Sequence, residues 1–206
     1  MKKMLLTGFA AILVAVSAIA ANPKAENGKY TIDAKASKLK WVGKKVTGEH
    51  TGYISFKSGV ITTKGNSIAS GNAVVDMTSI TCTDLTDAEY NGKLVGHLKA
   101  EDFFDVAKFN ESEFKLNTIT PISGAKEGAN NYTVKGTLTI KGVTQSIEFP
   151  AKVEIKGKTL VVRADVTFDR TKYGIKYGSK SFVEGIGDKA ISDEVQLSFA
   201  LVAKAS

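Results

Sequence analysis

Apolar and polar residues alternate with a period of two along most of this chain. Such alternation buries one face of a β-strand and exposes the other, whereas a helix would need a period near 3.6. The clearest run covers residues 160–169, and a second covers residues 194–201. Their apolar positions are Leu160, Val162, Ala164, Val166 and Phe168 in the first run, and Val195, Leu197, Phe199 and Leu201 in the second.

Shorter alternating runs and turn sequences indicate a meander of about eight strands. The runs lie at 113–117, 137–140 and 152–156, with weaker ones at 39–41, 54–56 and 73–77. Glycine-containing turn signals occur at 156–158, 57–59 and 64–66. Antiparallel strands with one apolar face must hide their edges, so we predict an all-β chain that closes into a single eight-stranded antiparallel barrel. A two-sheet sandwich is the alternative.

One segment, at about 84–105, leaves the strand pattern. Asp84 can cap a helix, and Asp87 in the first turn favours its positive end. Asn91, Leu94 and Leu98 then share a helical stripe. The paired Phe103 and Phe104 follow. A helix and an aromatic corner inserted into a meander predict a lid or plug at a barrel mouth.

Residues 1–21 have the pattern of a signal peptide. Lys2 and Lys3 precede an apolar stretch, and Ala18-Ile19-Ala20 offers the small residues that a signal peptidase reads. The predicted mature part, residues 22–206, is then one barrel domain. We expect it to be periplasmic or secreted. Cys82 is the only cysteine, so the fold cannot depend on an internal disulfide, and the chain could be a monomer or a dimer.

The charge of the chain argues against nucleic acid as a partner. The net charge is +7, or +5 without the two leader lysines, and the basic residues are interspersed with acidic ones. A mixed surface of this kind lacks the basic patch that nucleic acid requires. It is compatible with transient contact with an anionic membrane surface.

Several short motifs, in order, resemble the YceI-like family. Residues 136–144, GTLTIKGVT, are similar to its G-x-L-T-I-x-G-V-T hairpin, and residues 97–105, HLKAEDFFD, are similar to its H-L-x-S-x-D-F-F-D segment. Residues 30–33, YTID, resemble its opening strand, and Arg170 with residues 173–175, YGI, resembles its late R-x-x-F-G-I element. The resemblance spans about residues 30–202.

The resemblance implies an extended lipocalin-like barrel of eight strands, an isoprenoid chain inside it, and secretion to the periplasm. Leu94 and Val95 stand where the family often has Arg-Asp, and Asn110 replaces a proline. These departures surround the expected mouth. The head group of the ligand therefore stays open, as do its chain length and the pathway it serves.

We accordingly predict an exported, non-enzymatic protein that holds a long apolar lipid of polyprenyl or quinone type. The alternatives are an enzyme that modifies a lipid in the pocket, with His97 as acid or base, and a barrel filled by its own side chains that acts through its surface. Arg170 could pair with a phosphate or quinone oxygen, or form a salt bridge to Asp169 or Asp165. The candidate ligand-binding residues are His97, Phe103, Phe104, Phe109, Phe114, Arg170, Tyr173, Ile175 and Phe182.

Catalytic and metal-binding patterns are weak in this sequence. It has no G-x-S-x-G elbow, and its two histidines, His50 and His97, have no H-x-x-x-H spacing. A site combining them with Glu49, Asp102 or Asp105 is conceivable chemically. We predict no catalytic residue, metal ligand or cofactor from the sequence, and we interpret Cys82 as a small buried residue.

Overall fold

The structure is a computed structural model that describes residues 27–65 and 67–206. The predicted signal peptide lies outside the described residues. Within them the chain forms nine β-strands and one α-helix. The strands are β1 (Gly28–Ile32), β2 (Lys38–Lys45), β3 (Gly48–Lys64), β4 (Ser67–Asp76), β5 (Glu111–Pro121), β6 (Tyr132–Ile140), β7 (Val143–Lys156), β8 (Thr159–Asp169) and β9 (Ile191–Ala205), and the helix is α1 (Ala88–Lys99).

The sheet closes on itself as an antiparallel barrel with eight strand positions. Strands β3 to β9 pair in chain order, and β2 pairs with both β3 and β9 to complete the circle. The extra strand β1 continues the position of β2, because Thr31 pairs with Val60 of β3 and with Lys204 of β9. This confirms the predicted lipocalin-like barrel with its helical insertion and excludes the sandwich.

The alternating runs become strands whose apolar residues face inward. In β8, Leu160, Ala164, Val166 and Phe168 are buried while Arg163, Asp165 and Thr167 are exposed. The turn signal at 156–158 joins β7 to β8, with Gly157 in the left-handed region at φ 56°. The signal at 57–59 is not a turn. It lies inside β3, where the pairing with β4 shifts by one residue in a β-bulge.

The helix begins later than the sequence suggested. Asp87, rather than Asp84, is the N-cap, and its carboxylate accepts hydrogen bonds from the amides of Glu89 and Tyr90. The helix ends at Lys99, and none of its residues is fully buried. In the described part of the chain, no helix combines the length and the apolar character needed to cross a membrane.

The two ends of the barrel differ in how they are packed. At the end that carries β1, Tyr30, Ile32, Leu160 and Leu201 are among the buried residues of one apolar cluster. We call the opposite end the mouth. It is the end at which β4 ends and β9 begins, and α1 comes after β4 in the chain. There Phe103, Ile140, Phe168, Tyr173 and Ile175 form a second cluster against the wall. Between the two ends the barrel is hollow.

Candidate functional site: an apolar cavity with a polar mouth

The barrel encloses a cavity of about 740 Å³. This volume lies in the range of about 300–1,000 Å³ that is typical of small-molecule sites. Inward-facing side chains of β2 to β9 line it, together with Leu94, His97 and Leu98 of α1. Most lining residues are aliphatic, and the aromatic ones are Trp41, Phe56, Phe103, Phe104, Phe114, Phe149, Phe168, Tyr177 and Phe199.

The polarity of the lining changes along the barrel. Toward the end that carries β1, the lining residues include Ile61, Ile68 and Leu201. The charged or titratable lining residues instead belong to segments at or near the mouth, and they are Lys44, Lys45, His50, His97, Glu113, Arg170, Asp188 and Lys189. The arrangement therefore matches an amphiphile whose tail lies inside and whose head group lies at the mouth.

Aromatic rings form a connected series across the interior. The Phe114 and Phe149 ring centroids are 5.7 Å apart, and those of Phe149 and Phe199 are 6.1 Å apart. Phe56 continues the series at 6.4 Å from Phe199. Edge and tilted ring contacts of this kind hold side chains in place. The middle of the cavity thus has a rigid apolar wall.

His97 occupies the mouth and is held there from several sides. Its Nε2 atom lies 2.8 Å from Oδ2 of Asp102. Its ring is 4.8 Å from that of Phe103 and 4.6 Å from that of Tyr177, both edge to face. The imidazole therefore belongs to an aromatic cluster that narrows the entrance, with its edge toward an exposed carboxylate.

Arg170 lines the cavity, but its donors face the protein backbone. Its guanidinium donates to the carbonyls of Ser192, Ile175 and Ile191 at 2.9, 2.8 and 3.2 Å. Burial lowers the pKa of Arg170, while nearby acidic residues raise it. The ion-pair partner is Asp193, at 3.5 Å, and not Asp169 or Asp165. Arg170 thus fastens the turn after β8 to the start of β9.

The structure brings together five of the nine sequence-predicted candidates. His97, Phe103, Phe104, Phe114 and Arg170 line the cavity. The other four lie elsewhere: Tyr173 and Ile175 are buried in the wall cluster, Phe109 lies against the turn at Gly142, and Phe182 is exposed with the Lys176 ammonium 4.4 Å from its ring centre.

Sequence reasoning missed several lining aromatics, although their signal was visible. Phe56, Phe168 and Phe199 all occupy apolar positions of the alternating runs, and Trp41 ends a weak one. Phe149 lies just before the run at 152–156. In a hollow barrel the inward positions of every run are wall residues, so the runs themselves were the best guide to the site.

A second group of side chains lies beside the mouth. His50 Nδ1 is 2.7 Å from Oδ2 of Asp84, and the Cys82 thiol donates to Oδ1 of Asp84 at 3.3 Å. Partial burial raises the pKa of Asp84, but hydrogen bonds from the Thr51 amide, His50 and Cys82 outweigh it and bring the pKa to about 2. Glu49, the partner considered from sequence, instead pairs with Lys44 at 3.8 Å.

The chain is similar to proteins of one known family. The family model of the YceI-like domain matches residues 30–203. BcnA of Burkholderia cenocepacia is 27% identical, with a TM-score of 0.63 over 84% of this chain and 99% of that one. A polyisoprenoid binding domain from Saccharophagus degradans, implicated in plant cell wall breakdown, is 21% identical, with a TM-score of 0.61 over 86% of this chain and 98% of that one.

A third structure, the YCEI protein of Campylobacter jejuni, is 15% identical, with a TM-score of 0.51 over 100% of this chain and 99% of that one. No curated protein sequence matches the chain.

Proposed function

Because this chain belongs to the YceI-like domain family, we propose that it is a non-enzymatic binding protein that holds a long apolar lipid of isoprenoid type. The observation that carries the proposal is the cavity of about 740 Å³, apolar in depth and polar at the mouth. The polyisoprenoid binding domain from Saccharophagus degradans, which shares the fold, supports the choice of ligand class.

Burial of hydrocarbon supplies enough free energy for such a ligand. Covering about 400 Å² of a lipid tail at roughly 25 cal/mol/Å² contributes about 10 kcal/mol before the costs of ordering. The rigid aromatic wall reduces the ordering cost on the protein side. Binding of this kind needs no reacting group, and the imidazole of His97 is already engaged by Asp102 and two rings.

Mass spectrometry of an organic extract of the purified protein tests the proposal. We expect about one isoprenoid lipid for each chain. A protein that carries no lipid and takes up none would favour the alternative in which it acts through its surface. Chemical change of the extracted lipid on incubation with the protein would favour the enzyme, and loss of that change in His97→Ala would identify the acid or base.

Export is part of the proposal and has its own test. The signal-peptide pattern of residues 1–21 supports a periplasmic or secreted mature protein. N-terminal sequencing of the exported form should then begin at Ala21 or Asn22. An intact Met1 on the product would contradict export by cleavage.

We also propose that the mouth touches a membrane surface during lipid exchange. Exposed apolar side chains lie on segments around it, at Val46, Tyr90, Tyr177, Phe182 and Val183. The neighbouring lysines Lys44, Lys45, Lys93, Lys176 and Lys189 lie on the same segments. Aromatic residues beside basic ones suit the interface of an anionic bilayer.

Vesicle binding distinguishes this rim from ordinary exposed aromatics. Phe182→Ser should weaken co-sedimentation with phosphatidylglycerol vesicles and slow lipid transfer. Tyr53→Ser is the matched control, because Tyr53 is also exposed but belongs to the barrel wall, where it pairs with Lys40 of β2, and not to the segments that carry the rim residues. Equal losses in the two variants would argue against a membrane-facing mouth.

A further inference from the structure

Three side chains with different metal-ligating atoms converge beside the mouth. His50 comes from β3, and Cys82 and Asp84 come from the segment between β4 and α1. Their ligand atoms, one imidazole nitrogen, one sulfur and one carboxylate oxygen, all lie within 4.8 Å of one another. Among the described residues this is the one group of three or more such side chains close enough to share an ion.

We propose that His50, Cys82 and Asp84 form a binding site for a divalent transition metal ion of the zinc class. Zinc binds sulfur at about 2.3 Å and nitrogen or oxygen at about 2.0–2.2 Å in a tetrahedron, which places the ligand atoms about 3.3–3.6 Å apart. Here Cys82 Sγ is 3.3 Å from Asp84 Oδ1, His50 Nδ1 is 2.7 Å from Oδ2 of the same carboxylate, and the three ligand atoms of the group lie within 4.8 Å of one another. To hold the ion, the carboxylate must turn so that one oxygen serves as the ligand, and the His50 ring must move outward by about half an ångström.

The surroundings hold these ligands in position. The Thr51 amide donates to Asp84 Oδ1 at 2.7 Å and orients the carboxylate. The amide side chain of Asn91 donates to the carbonyls of Cys82 and Leu85 at 3.0 and 2.9 Å, which fastens the segment to α1. Outer contacts of this kind fix metal ligands before the ion arrives.

The donor set determines the class of ion. A thiolate with an imidazole favours zinc and its borderline-soft neighbours, whereas magnesium and calcium prefer sites made of oxygen. Cys82 is buried, while His50 and Asp84 are each about 30% exposed, so an ion has access from the outer side. Three protein ligands leave a fourth position for another donor.

The site adjoins the cavity because His50 is also one of its lining residues. A bound ion would link β3 to the segment that leads into α1, and α1 contributes Leu94, His97 and Leu98 to the cavity. The metal would thus hold the helix at the mouth. The inference rests on the three ligands alone and not on the proposed lipid.

Cobalt titration tests the site directly. The reduced, chelator-treated mature protein should bind one Co²⁺ per chain and show the intense visible bands of tetrahedral cobalt together with a sulfur-to-cobalt charge-transfer band. Zn²⁺ should displace it in equal amount. Cys82→Ser should abolish the charge-transfer band, and His50→Gln should weaken binding by more than about 100-fold, beyond the losses that outer-shell changes cause.

The control is His97→Gln, which removes the other histidine–aspartate pair and should leave cobalt binding unchanged. Asp84→Asn provides a variant that retains an acceptor for the Thr51 amide, and it too should lose affinity while circular dichroism stays that of the wild type. A cobalt complex without the sulfur band, or equal affinity in the Cys82 and His97 variants, would overturn the proposal. Because no lipid enters these measurements, a failed lipid proposal would not alter their outcome.

Discussion

A larger side chain on the cavity wall should weaken lipid binding without lowering the stability of the fold. Gly71 of β4 lines the cavity between Ile61 and Leu116, which lie on the flanking strands. A Cβ atom at this position would meet the Ile61 and Leu116 side chains at 3.6–3.8 Å, which is ordinary contact distance. The change Gly71→Leu therefore adds four carbon atoms to the interior without a backbone clash.

The two effects of this change should have opposite signs. Displacing about four ligand carbons at roughly 0.8 kcal/mol each weakens binding by about 3 kcal/mol, or about 100-fold to 200-fold in Kd. The lipid-free protein should instead gain about 1–2 kcal/mol, because the leucine covers apolar wall and a flexible glycine leaves the strand. Most destabilising mutations would lower both quantities together.

The assay compares the Kd for a radiolabelled long-chain polyprenol with the free energy of unfolding in urea, both measured on lipid-free protein. Ala69→Leu is the control, because Ala69 belongs to the same strand but is exposed and does not line the cavity. It should leave Kd unchanged. If Gly71→Leu is folded and binds the polyprenol as the wild type does, the lipid does not occupy the barrel interior beside β4.

Three further changes test Phe114 in the wall, His97 at the mouth, and Asp193 of β9, which binds the loop at Ser179 and Ser181. Phe114→Ala should release lipid faster at a matched folded fraction, while Lys152→Ala should not; equal lipid content would remove Phe114 from the pore. His97→Ala should keep the fold but alter transfer to acceptor vesicles, and an unchanged rate would make His97 purely structural. Burial raises the pKa of Asp193, but hydrogen bonds from Ser179 and Ser181 and the nearby Arg170 charge outweigh it and keep the pKa low. The stability that Asp193 contributes should therefore be present above about pH 4 and be lost as the pH falls through its lowered pKa. The difference in stability between wild type and Asp193→Asn should shrink over that range, and a constant difference would refute the linkage.

The period-two pattern predicted the strands and the barrel because a closed sheet needs an apolar face on every strand. The prediction was wrong where the local sequence is compatible with two different structures. Residues 57–59 carry turn-forming residues, yet the chain continues through them as a bulge in β3. Asp84 and Asp87 are both able to cap a helix, and tertiary contacts decided between them. Asp84 binds His50 and Thr51 of the adjacent strand β3, so Asp87 is left to cap α1.

The same distinction applies to the candidate site: residues in local features could be predicted, and residues whose partners are distant in sequence could not. Phe103, Phe104 and His97 could be placed at the mouth because the helix and the corner that follows it are local features. Arg170 could not be assigned, because its carbonyl partners in Ile191 and Ser192 are more than twenty residues away. Phe182 was misleading for a related reason, since a large apolar residue in a glycine-rich loop is as compatible with an exposed rim as with a buried wall.

Whether the barrel is hollow depends on side-chain size, which alternation does not report. A filled barrel and a hollow one both need apolar inward positions, and eight strands lie at the boundary between the two outcomes. At the end that carries β1, the large side chains of Tyr30, Ile32 and Leu160 belong to one buried cluster. On β4, in contrast, Gly71 and Ala73 contribute almost no volume, although both line the cavity. The space for a ligand thus depends on small residues at inward positions, and a single larger side chain there should take up part of that space.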